Sequence, residues 1–114
     1  MTRPTLILAA LAALCAAPAA SAGHVTRTAT IACETPDQVL TFFEIGLRPP
    51  SEANRLEFFE RLDALRSLNF CVTPPPGTRV TIARRDSPLV LEVRLETDGR
   101  RLYVLANSIE QEAP

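Results

Sequence analysis

Residues 79–106 read RVTIARRDSPLVLEVRLETDGRRLYVLA, three apolar–polar alternations separated by two groups of turn formers. Segments 79–83, 89–95 and 102–106 carry the two-residue period of half-buried strands. Arg85-Asp86-Ser87-Pro88 and Asp98-Gly99 separate them. The second pair suits a tight hairpin, because both central residues of such a turn need positive φ. Val80, Ile82, Leu89, Leu91, Val93, Leu95, Leu102 and Val104 fall on one side and form the predicted buried face. The pattern therefore predicts an antiparallel meander.

Upstream, Pro74-Pro75-Pro76-Gly77 is an extended stretch and turn that no helix can cross. Before it the periodicity is helical. Thr35-Pro36-Asp37-Gln38 combines an N-cap hydroxyl, a proline at the first helical position, an acid at the positive helix end and a glutamine placed to complete a capping box. A first helix is expected from here, presenting Val39, Leu40, Phe42, Phe43 and Leu47 and ending at Gly46 and Arg48-Pro49-Pro50. A second is expected from Ser51 or Asn54 to Leu68, with Phe58, Phe59, Leu62 and Leu65 on one side and Glu57, Glu60 and Asp63 on the other. Its polar side is acidic, which favours core packing over a membrane-surface role. Residues 25–33 alternate as one further strand. The predicted fold class is α+β, in the order β-α-α-β-β-β, with a two-helix insert covering a small antiparallel sheet. Residues 107–114 become polar and acidic and read as a C-terminal tail.

The first 22 residues read as a cleaved signal peptide. Arg3 gives the positive start, residues 6–17 the uncharged core, and Ala20-Ser21-Ala22 the small-x-small cleavage site. An apolar run of about twelve residues spans about 18 Å, short of a hydrocarbon core roughly 30 Å thick. Lipidation at Cys15 is disfavoured because Leu14, not a small residue, precedes it. Cleavage leaves residues 23–106 as a single domain and Cys33 and Cys71 as the remaining thiols. In an oxidising compartment these are expected to form a disulfide closing the helical insert. The expected location is periplasmic or secreted.

Loss of Arg3 removes one of 12 basic residues and none of the 13 acidic ones, taking the formal charge from −1 to about −2. That balance points away from nucleic acid and from anionic membranes. All the basic residues are arginine. The only histidine, His24, stands next to the expected mature terminus, a poor place to build a nucleophilic triad. A terminus at Ala22 would make His24 the third residue, a geometry that chelates copper or nickel, but cleavage after Ala22 makes it the second, so no metal or cofactor is expected. The four glycines are scattered and form no phosphate loop.

The span from Cys33 to Val104 resembles small uncharacterised exported bacterial proteins. Gly77-Thr-Arg-Val-Thr-Ile, Leu91-Glu-Val-Arg-Leu, Asp98-Gly99 and Tyr103-Val104 are similar to the closing strands of bacterial SH3-like barrels. This resemblance implies a sheet able to close into a barrel and a role in binding cell-wall or protein ligands. It carries over no site residue. The two helices depart from the barrel pattern.

Six arginines (79, 84, 85, 94, 100 and 101) fall in the three-strand region, and Tyr103 shares a face with Arg94. Arginine and tyrosine are enriched at binding hot spots. The sequence thus predicts a non-catalytic binding module with Arg94 and Tyr103 in its contact patch, directed at an envelope or secreted protein or at a cell-wall component. The alternative is a secreted inhibitor of a protease or lysozyme acting through the rigid loop 73–77.

Overall fold

The computed structural model describes residues 23–113. The predicted signal peptide, with Arg3, Cys15 and the cleavage site, lies outside the described residues. The elements are β1 (His24–Thr26), β2 (Ala32–Cys33), α1 (Pro36–Leu47), α2 (Glu52–Ser67), β3 (Cys71–Val72), β4 (Arg79–Arg85), β5 (Val90–Leu95), β6 (Arg101–Leu105), a 3-10 turn (Ala106–Ser108) and β7 (Ile109–Gln111). The fold is α+β. All strands join one antiparallel sheet in the order β3-β2-β6-β5-β4-β1-β7.

Both helices start as their residues dictate. The Thr35 N–H donates to Gln38 Oε1 and the Gln38 N–H donates to Thr35 Oγ1, closing the capping box. Ser51 Oγ accepts from the Asn54 N–H at 3.0 Å and begins α2. At the other end of α2 the Phe70 N–H reaches the Leu65 carbonyl and the Asn69 N–H reaches the Arg66 carbonyl, with Asn69 at φ 63°. This is a Schellman closure with asparagine in the left-handed position.

The expected single strand at 25–33 is instead two strands joined by a corner. Ala29 adopts φ 62°, and Thr30 Oγ1 donates to the carbonyls of Arg27 (2.8 Å) and Ser108 (3.3 Å). The local turn outweighs the continuous alternation. Four strand steps separate β1 from β2 in the sheet order, about 19 Å if the sheet were flat. Residues 27–31 form a folded corner that cannot bridge this, so the sheet curls to bring its two flanks together. The ladder remains open, and barrel closure is not seen.

The curl decides which face the helices cover. Ala32, Val80, Leu91, Val93, Leu95, Leu102, Val104 and Ile109 pack together inside the curled sheet, and none of them is helical. The helical hairpin lies on the opposite, outer face, where Val39, Phe42 and Leu62 meet Cys33, Cys71, Tyr103 and Leu105. A curled sheet buries its own concave side, and the helices cover the other face.

Three further expectations are corrected. The predicted tail contains β7, because Ile109 is apolar enough to bury and its strand pairs with β1. Leu89 is 45 % exposed, since β5 begins one residue later. The β5–β6 turn has positive φ at Gly99 alone (73°); the Gly99 N–H donates to the Leu95 carbonyl and the Arg100 N–H to Asp98 Oδ1. The turn is therefore longer than a two-residue hairpin.

Candidate binding face

The outer face of β4, β5 and β6 carries the residues singled out from the sequence. β5 aligns Glu92 with Tyr103 and Arg94 with Arg101 of β6. On its other side Arg94 faces Thr81 and Glu92 faces Arg84. Arg94 and Tyr103 are thus diagonal neighbours on one face, roughly 7–8 Å apart by sheet geometry. Their environments differ. Arg94 is exposed, whereas Tyr103 is half-buried with its ring against the helix-covered cluster. The tyrosine hydroxyl emerges at the edge of that cluster and accepts from Arg84 Nη2 at 3.4 Å.

Arg84 reaches this face through a backbone irregularity. Ile82 pairs with Val93 and Arg84 with Glu92, so Ala83 is an extra residue in β4. A β-bulge of this kind re-aims the side chain that follows it. Strict alternation from Val80 and Ile82 would point Arg84 into the apolar interior. The bulge instead places its Nε 2.7 Å from Glu92 Oε1 and its Nη1 3.3 Å from Asp86 Oδ1. Partial loss of hydration acts to lower the Arg84 pKa, but Glu92, then Tyr103 and Asp86, more than offset it, and the net shift is upward. The side chain stays cationic.

Glu92 is only 9 % exposed and is bracketed by Arg84 and, at 3.9 Å, Arg101. It therefore anchors the arginines and is not the freely solvated residue that its strand position suggests. Arg94 forms no ion pair among the described residues, although Arg101 stands directly across from it. Like charges directly opposite on neighbouring strands are destabilising. The pair presents cationic donors beside a tyrosine, an arrangement that accepts a carboxylate or phosphate.

The other arginines of the region serve the scaffold. Arg79 meets Glu112 at 2.8 Å, and Arg85 donates to the Pro88 carbonyl. Arg100 donates to Glu34 Oε1 (2.9 Å), to Asn69 Oδ1 (3.1 Å) and to the Asn69 carbonyl, tying the β5–β6 turn to the end of α2. Beside this clamp, Cys33 and Cys71 are directly paired across β2 and β3 and form the predicted disulfide. Both are buried. His24 lies in β1, and the alternative terminus at Ala22 falls outside the described residues. Among the described residues no helix is long and apolar enough to cross a membrane.

The loop 73–77 is held from below. Thr26 Oγ1 and Thr78 Oγ1 both donate to the Pro75 carbonyl, and the Gly77 N–H donates to the Thr26 carbonyl at 2.8 Å. Pro75, Pro76 and Gly77 remain exposed above it. No family model, curated protein or solved structure matches the chain, so its site is defined by its own geometry.

Proposed function

We propose that the chain is an exported, non-catalytic binding module of the bacterial envelope or secreted space, recognising an anionic group on a protein or cell-wall component through Arg94 and Arg101 beside Tyr103. The observation that carries this reading is the directly opposed arginine pair, one member of which has no ion pair among the described residues. The signal-like start and the paired cysteines support an oxidising location. The finer architectural reading is an SH3-like barrel with a helical insert. Its support is the meander β4-β5-β6, followed by one 3-10 turn and a last strand that returns to β1. Pull-down from an envelope extract tests the face: Arg94→Ala/Tyr103→Ala should lose partners that wild type retains. Equal recovery of all partners would sink the patch.

The clamped loop favours a second reading, a hydrolase inhibitor presenting Pro75, Pro76 and Gly77 as a rigid plug. A panel of proteases and lysozymes separates the two. Inhibition at micromolar protein that survives Arg94→Ala/Tyr103→Ala supports the loop, and absence of inhibition counts against it.

A further inference from the structure

We propose that the cavity beneath the corner at residues 27–31 is a binding site for a small apolar molecule, about the size of one aromatic ring. It opens to the surface and has a volume of about 130 Å³, close to the roughly 150 Å³ at which an apolar-lined engineered cavity in another protein takes up benzene. Its walls come from four parts of the fold: Val39 and Phe42 of α1, Phe58 of α2, Leu105 of β6, and Ala29 and Ile31 of the corner. Ser108 is the single polar residue of the lining. The rings of Phe42 and Phe58 meet edge to face at 5.1 Å and form an aromatic wall.

The space is preformed because its rim is fixed by the backbone. The Ser108 carbonyl accepts from the Arg27 N–H at 2.8 Å and from Thr30 Oγ1 at 3.3 Å, and Thr30 is buried. Between these anchors Ala29 holds φ 62°, a conformation unfavourable for any residue with a Cβ. Such strain persists only where the surroundings impose it, and it clusters at ligand clamps and switch regions. Ala29 is exposed while Val39 and Phe42 are buried, so the cavity runs inward from the surface. A charged or strongly polar ligand would lose its hydration here with one polar residue in the lining to replace it. None of Arg94, Arg101 and Tyr103 lines the cavity, and its occupancy does not depend on the function proposed for that face.

Titration of the disulfide-bonded protein with toluene, followed by methyl-resolved NMR, tests the inference. The expected result is saturable shifts at the Ile31, Val39 and Leu105 methyls. Ser108→Leu, which fills the space, should abolish them, and glycerol should produce none. Absence of saturable shifts in the wild type would identify the cavity as a packing defect. Shifts that persist in Ser108→Leu, or that glycerol reproduces, also overturn the proposal. If Ser108→Leu does not fold, Ile31→Phe provides the same filling from the corner.

Discussion

Arg84 and Ala29 show how much single residues depend on backbone that departs from regular structure. Arg84 reaches Glu92 because Ala83 is an extra residue in β4, and Ala29 turns the chain because it adopts φ 62°. Replacing Ala29 with glycine removes the Cβ conflict but loosens the unfolded chain, so a net gain of up to about 1 kcal/mol is expected in urea denaturation. Ala29→Val should lose about 1–2 kcal/mol, since a branched side chain suits the left-handed region least. Arg84→Ala should lower the urea midpoint more than Arg94→Ala, because it strips Glu92 of its nearest cation whereas Arg94 has no ion pair among the described residues. Equal shifts for the two would show that the Glu92 cluster is energetically idle. The common face of Arg94 and Tyr103 was legible from strand parity. The aim of Arg84 and the burial of Glu92 were not, because one bulge reverses parity beyond it; an arginine at a nominally inward position was the available clue.

The helices were the most legible elements, since their start signals act within one turn. Thr35 and Ser51 cap as their residue types require. Thr35→Ala and Ser51→Ala should each cost about 1 kcal/mol, and the double variant about 2 kcal/mol, as expected for caps on separate helices. A double-variant cost well below that sum would show that the hairpin holds its ends without caps. The inward stripe of α2 was legible only in part. Phe58, Leu62 and Leu65 face the cluster, but Phe59 is 49 % exposed, with the Arg55 guanidinium 5.8 Å from its ring centroid. The alternation at 25–33 misled for the opposite reason: a long-range anchor at Ser108 stabilises a corner that local periodicity does not encode.

At the scale of the whole molecule, curvature decides the layering. Periodicity identified the apolar face of the meander but gave no measure of curl, and the curl determines that the sheet encloses this face itself while the helices pack outside. The disulfide was legible because cysteine arithmetic, with removal of residues 1–22 expected, left one pairing. It spans a sequence separation of 38. Replacing both cysteines with alanine should lose roughly 4 kcal/mol in the chain-entropy treatment, read as a drop in the denaturation midpoint. A drop below 1 kcal/mol would show that the Arg100 clamp on Glu34 and Asn69 already closes the insert. Mass spectrometry of the non-reduced protein should show the Cys33–Cys71 linkage directly.

The β1–β7 ladder aligns His24 with Gln111, and the Gly23 carbonyl accepts from the Glu112 N–H at 2.8 Å. The described fold is thus nearly a ring, with its two ends held side by side. A circular permutant that joins these ends through a short Gly/Ser linker and opens the chain between Pro49 and Pro50, both exposed, should retain dispersed native-like amide resonances and the same disulfide. In that permutant the helices become two terminal arms, each fastened to the sheet at its base by the Cys33–Cys71 bridge.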